Sequence, residues 1–326
     1  MVFSAPGHRG AVSDHFDGRR FRNLAGSAHE FAGVLRWAAT RKPVPWRPFT
    51  DARPGPAPQR RVADLRVTFV NHATLLVQMA GRNILTDPVW SERVSPVAWA
   101  GPRRVRPPGI RFEDLPQIDA VLISHNHYDH LDLETLRRLH AHDRPWIVTG
   151  LGVRGFLEQH GLSHGTDLDW WQSGEIGKGL SVTAVPVQHF SGRGLADRNA
   201  TLWTGFVLSG SAGDVFFAGD TGYGPHFRLI RDRFPRLRLA ILPIGAYRPE
   251  WFMGPVHETP AQALQAFADL GAGTGVGMHF GTFRLTDEGQ DEPAQEIAAL
   301  LAAAPEPKPR FWVLDFGEGR DVPAVE

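Results

Sequence analysis

From Arg61 onward, short apolar runs alternate with amphipathic stretches. The runs at 65–69, 74–78, 83–86, 120–123, 146–149, 181–187, 203–208, 215–218, 239–244, 275–280 and 311–314 have the length and the β-branched or aromatic content of buried strands. Apolar residues at three- and four-residue spacing predict helices over 133–142, 225–234, 260–270 and 294–304. Strands this short and apolar need cover on both faces, so the expected architecture is two packed sheets with helices outside. Upstream the pattern weakens. Residues 1–26, rich in Gly, Arg and His, are expected to be weakly structured. Ser27-Ala28-His29-Glu30 fits a capping box that opens a helix with Phe31, Val34, Leu35 and Ala38 on one face. Arg36, Arg41 and Lys42 gather toward its end, so the helix either lies on anionic lipid or docks on the main domain. Six prolines in 43–61 make an extended connector. The expected division is an N-terminal extension over 1–60 and one domain over 61–326.

Composition narrows the chemistry. A chain of 326 residues that is 42% hydrophobic can bury a large core, and zero net charge with a pI near 7.3 disfavours a nucleic-acid partner. Zero cysteines exclude disulfides, thiolate metal sites and cysteine nucleophiles together. Any metal must then be held by His and carboxylates, a donor set suited to zinc and also to manganese or iron. Residues 1–8 lack the form of a secretory leader, and no apolar run approaches the roughly 18 residues of a membrane span. The expected location is the cytoplasm. Peripheral membrane contact and a homodimer are both compatible with the sequence.

The segment Ser124-His125-Asn126-His127-Tyr128-Asp129-His130 follows the apolar run 118–123 and packs four metal-competent side chains into six residues. In an extended segment His125 and His127 point to the same side and can clasp one ion, while Asp129 and His130 on the following turn can reach a second. Three further ligand types end apolar runs elsewhere: His189, Asp220 and His279. Gly219 and Gly222 flank Asp220 and would let backbone approach an ion closely.

The loop His125-Asn126-His127-Tyr128-Asp129-His130 resembles the H-x-H-x-D-H motif of the metallo-β-lactamase superfamily. Leu85-Thr86-Asp87-Pro88, Leu168-Asp169-Trp170-Trp171, Gly219-Asp220-Thr221-Gly222-Tyr223 and Pro243-Ile244-Gly245-Ala246-Tyr247 resemble, more narrowly, the N-acylphosphatidylethanolamine-hydrolysing phospholipase D family. The likeness covers roughly residues 60–317. It implies an αββα four-layer sandwich and two zinc ions, one on His125, His127 and His189, the other on Asp129, His130 and His279, with Asp220 bridging. It further implies His257 near the substrate phosphate. Two such ions share a hydroxide at neutral pH, which would attack a phosphodiester in line. The implied substrates are N-acylphosphatidylethanolamine-like phospholipids; the alternative on the same fold is a lactonase or another hydrolase with a small soluble substrate. Asp87 is either a turn residue or the partner that orients a ligand histidine. Trp251-Phe252-Met253 forms either an acyl-contacting lip or core, and Arg103-Arg104-Val105-Arg106 either a phosphate-attracting patch or a solvated surface.

Two further patterns match known motifs by letter alone. Gly150-Leu151-Gly152-Val153-Arg154-Gly155 follows a strand as a dinucleotide loop would, but without a second βαβ unit. Gly161-Leu162-Ser163-His164-Gly165 spells a nucleophile elbow, yet a helix-like stretch precedes it where an elbow needs a strand.

Overall fold

The computed structural model describes residues 4–25, 31–49 and 51–325. Strands β1 (Leu65–Asn71), β2 (Thr74–Met79), β3 (Arg82–Thr86), β4 (Ala120–Ile123), β5 (Trp146–Gly150) and β6 (Gly165–Leu168) lie side by side in one sheet. The second sheet runs β7 (Ser173–Glu175), β8 (Leu180–Val185), β9 (Gly205–Gly210), β10 (Gly213–Phe217), β11 (Leu237–Pro243), β12 (Thr274–Met278) and β13 (Phe311–Trp312). The last strand, β14 (Gly319–Asp321), returns to the free edge of β1 and closes the first sheet at seven strands. Within each sheet the hairpin half is antiparallel, whereas β3 to β6 and β10 to β13 are parallel.

The period of two explains why the first-sheet strands read as continuous apolar runs. In β4, Ala120 and Leu122 face the inter-sheet core, while Val121 and Ile123 face the outer layer. That outer layer is α2 (Leu133–His142) and α3 (Val153–Gln159), which contribute Leu136, Leu139, Phe156 and Leu157. On the other side α4 (His226–Arg233), α6 (Pro260–Leu270) and α7 (Glu292–Ala303) cover the second sheet with Phe227, Ala263, Phe267 and Ile297. Helix α6 starts at a Thr259–Gln262 capping box with Pro260 in its first turn, and a left-handed Gly271 ends it. The layers are helix, sheet, sheet, helix, as expected. Among the described residues no helix is long and apolar enough to cross a membrane.

Strands β6, β7 and β14 and residues 4–25 depart from the expected pattern. Strands β6, β7 and β14 carry too few apolar residues to stand out, because they are short edge or near-edge strands. Residues 4–25 are not weakly structured: Phe16 and Phe21 are buried in the inter-sheet core, paired across a bridge. The proposed capping box at Ser27–Glu30 lies outside the described residues, but helix α1 (Phe31–Thr40) follows it. Trp37 stacks on Phe252 of the short helix α5 (Glu250–Met253) at 5.1 Å, so this part of α1 docks on the domain.

Both letter-only matches dissolve in the fold. At the strand-to-helix turn between β5 and α3, a side chain on the left-handed Gly152 would collide with the backbone of His8, at 2.8 Å. The glycine therefore admits the protein's own N-terminal segment, where a dinucleotide would have to sit. Ser163 falls between α3 and β6, a helix-to-strand order that is the reverse of an elbow.

Candidate metal centre

The C-terminal ends of β4, β10 and β12, together with the loop after β8, meet at one rim, where parallel strands release their chain from the core. This rim brings together all seven expected ligands. His125 Nε2 lies 2.7 Å from His127 Nδ1, and His189 Nε2 lies 3.3 Å from the same atom. Asp129 Oδ2 is 3.5 Å from both His130 Nε2 and His279 Nε2. Asp220 stands between these triads. Its Oδ2 is 3.9 and 3.7 Å from the Nε2 atoms of His125 and His189, and its Oδ1 is 3.2 Å from His279 Nε2. His130 Nε2, His279 Nε2 and Asp220 Oδ1 are buried without a hydrogen-bond partner among the described residues. Orphaned donors and acceptors converging on one another are costly unless something fills the space between them, and this donor set suits a cation. Each triad gathers its ligand atoms within 4.8 Å.

The electrostatics point the same way. Burial, reinforced by neighbouring histidines, holds His125 well below its ordinary pKa, and burial lowers His127 to about 4 and His189 far down. These imidazoles are neutral, with lone pairs available at neutral pH. Burial acts to lower His130 and His279 too, but the carboxylates of Asp220 and Asp129 outweigh it, raising His279 to about 9 and His130 well above its usual value. Burial in turn opposes ionisation of Asp129 and Asp220, yet the facing histidines pull both well below the carboxylate range. A cation entering the second triad would therefore have to displace protons.

Asp87 is the orienting partner behind both triads. His130 donates from Nδ1 to Asp87 Oδ2 at 2.6 Å, leaving Nε2 to face the site. Ser124 donates from its backbone N to Oδ1 and from Oγ to Oδ2, and its Oγ accepts from His125 Nδ1 at 2.9 Å. One carboxylate thus sets the tautomer of a ligand in each triad. The glycines beside Asp220 serve packing instead of ion approach. A Cβ on Gly219 would meet Ser124 Cβ at 2.4 Å, and one on Gly222 would meet Gly254 O at 2.8 Å.

Sequence reasoning missed two positioning residues. His72, in the β1–β2 turn at a φ of 45°, donates from Nε2 to Asp129 Oδ2 at 3.0 Å. It ends an apolar strand as His189 and His279 do, and that signal was available. Asn23 gave no such signal, being 166 residues from its partner. Its amide donates to His189 O at 2.9 Å and accepts from His189 N at 3.1 Å, so the N-terminal segment clamps the backbone of a candidate ligand.

Over the donors lies a cleft of about 340 Å³. Its floor is His127, Asp129, His189, Asp220 and His257; its apolar wall is Val34 and Trp37 of α1, Phe252 and Met253 of α5, Val256 and Leu285. His257, which burial lowers to about 4, is neutral, and its Nδ1 has no partner among the described residues. Phe252 and Met253 line this cleft, whereas Trp251 faces Arg36 at 4.5 Å. Of the basic stretch, Arg103 is on the solvated surface, while Arg104 and Arg106 are partly buried in the fold. Arg104 donates to Asn71 Oδ1, Val89 O and Ser91 O, Arg106 stacks on Phe49 and Phe316, and Arg103 pairs with Glu92.

Glu258, next to His257, is fully buried, and neither carboxyl oxygen has a partner among the described residues. Burial alone raises its pKa well above the usual value of 4.5. The unfolded chain ionises it first, so the protonated form's stability is complete below about pH 4.5 and is lost as pH rises toward the folded value. Replacement by Leu should stabilise the protein by about 1–3 kcal/mol, with the gain growing between pH 4.5 and pH 8. Urea midpoints at the two pH values would test this, and an equal difference at both would contradict it.

Comparison with known proteins adds three findings. Residues 82–280 match the family model described as the beta-lactamase superfamily domain. The chain is 37% identical over 268 residues to N-acyl-phosphatidylethanolamine-hydrolyzing phospholipase D 1 of Caenorhabditis elegans, covering 78% of this chain and 75% of that one. In structure it is similar to Igni18, a metallo hydrolase from Ignicoccus hospitalis, with a TM-score of 0.57 at 23% identity over 78% of this chain and 97% of the other. It is also similar to CmlA, a diiron beta-hydroxylase from Streptomyces venezuelae, with a TM-score of 0.59 at 21% identity over 79% and 54% of the two chains. The last two likenesses concern the fold alone.

Proposed function

The chain belongs to the beta-lactamase superfamily, and from that premise we propose that it is a dinuclear zinc phosphodiesterase of phospholipase D type acting on N-acylphosphatidylethanolamine-like phospholipids. The observation that carries this reading is the place of Asp220 between the triads, its Oδ2 toward His125 and His189 of one and His130 of the other, its Oδ1 toward His279. His125, His127 and His189 would hold one ion, Asp129, His130 and His279 the other, with Asp220 reaching both. When bound, two such ions acidify a water and neutralise charge developing on phosphoryl oxygens. The chain's own residues do the rest. Asp87 and His72 keep ligand atoms aimed inward, and neutral His257 offers a hydrogen bond to a substrate oxygen without adding charge. The wall of Trp37, Phe252, Met253 and Leu285 gives an acyl chain a surface that excludes water. Helix α1, from the N-terminal extension, would thereby belong to the substrate site.

The C. elegans relative's name supports the phospholipid substrate, while the fold itself also carries the diiron hydroxylase, so metal and reaction need direct measurement. After mild purification, plasma emission spectrometry should find two zinc ions per chain. Activity should follow on N-acylphosphatidylethanolamine in mixed micelles, in a panel that includes phosphatidylcholine and simple lactones. Fewer than about one ion per chain would sink the dinuclear reading. Hydrolysis confined to lactones would replace the phospholipase reading with the lactonase.

A further inference from the structure

Arg198 lines the cleft beside His189 and Asp220 and lies over the Phe190 ring at 4.9 Å. Among the described residues its guanidinium has no carboxylate in ion-pair range and no hydrogen bond. Two other arginines, Arg193 and Arg248, are engaged. Arg193 donates to Asn126 O and Leu131 O, and Arg248 to Glu292 and Glu296. The nearest acid in sequence, Asp197, is occupied by the backbone N–H groups of Ala5, Arg193 and Gly194. A guanidinium left without a partner on an apolar wall is a ready anion site, and its fork matches the oxygens of phosphate.

We propose that Arg198 is the phosphate-recognition arm of the cleft, which therefore selects ligands bearing a phosphate next to an apolar chain. This rests on the phosphodiesterase reading for its catalytic meaning, but the anion site itself is measurable without turnover. The probes are inorganic phosphate, by calorimetry, and phosphatidylcholine vesicles with and without phosphatidate, by sedimentation. Arg198→Gln should weaken phosphate binding about tenfold or more, and Arg198→Lys should recover part of the loss because charge survives without the fork. Unchanged melting temperature and metal content would show that each variant is folded. A loss confined to phosphatidate vesicles identifies the ligand as a lipid headgroup, and a loss with both probes identifies phosphate in general. Binding of both probes unaltered in Arg198→Gln overturns the proposal. If the wild type cleaves no phosphodiester yet binds phosphate through Arg198, the phosphodiesterase reading falls and the arm stands.

Discussion

Replacing Asp220 by Asn should lower turnover by at least about 10³-fold while leaving the fold intact. The side chain is 3% exposed, and its two oxygens are already committed, Oδ2 toward His125, His130 and His189, Oδ1 toward His279. An amide of the same shape presents one oxygen and one NH₂. Whichever way it turns, a donor faces either the His130 or the His279 nitrogen, and the negative charge that would offset two cations is gone. Neither triad loses a histidine, so the protein should still take up metal, though more weakly. Circular dichroism and zinc content would establish that the variant is folded and loaded. Turnover near that of the wild type would refute the bridging role. In the metal-free protein Asp220 also contributes to stability, because its pKa is depressed. That contribution is present above the ordinary value of 3.8 and is lost as pH falls through the folded value.

Asp87→Asn should cost about 10–100-fold in zinc affinity, with a matching fall in activity at limiting metal. Asp87 is fully buried and accepts from Ser124 N, Ser124 Oγ and His130 Nδ1. Asn can keep the first bond, but its NH₂ then meets the Ser124 hydroxyl and the His130 N–H. Relief requires His130 to move its proton to Nε2, the atom that faces the site, and a protonated nitrogen cannot ligate. Because Ser124 Oγ also orients His125, the defect reaches the first triad as well. Asp87→Ala removes the acceptor outright and should destabilise the metal-free protein by about 3–5 kcal/mol, as breaking a buried pair does. Zinc titration against a competing chelator measures the first effect, and denaturant unfolding after chelation the second. Wild-type zinc affinity in Asp87→Asn would remove Asp87 from the site's support.

The elements that were legible share one property: their signal lies within a few residues. The runs 120–123, 133–142 and 260–270 coincide with β4, α2 and α6, because a buried face imposes its period directly on the residues that form it. The loop from His125 to His130 was legible for the same reason, being contiguous. His72 follows the same strand-end pattern, but a lone histidine at a turn resembles many structural ones until Asp129 lies 3.0 Å away. Arg104 and Arg106 read as solvated because a charge run gives no hint that loop carbonyls and aromatic rings will surround it.

By itself the sequence determined the layered class, the chemical type of the site and the residue types at its strand ends, since each follows from local periodicity and from the absence of cysteine. Tertiary structure decided what touches what. It joined Asn23 to His189, placed Asp87 behind both triads, and set α1 against Phe252 as the cleft's apolar wall. Such contacts join segments from 37 residues apart, as for Asp87 and Ser124, to 166 and beyond, and chain folding leaves no local periodicity to record them. They follow only once the two sheets have packed and carried their loops to a common rim.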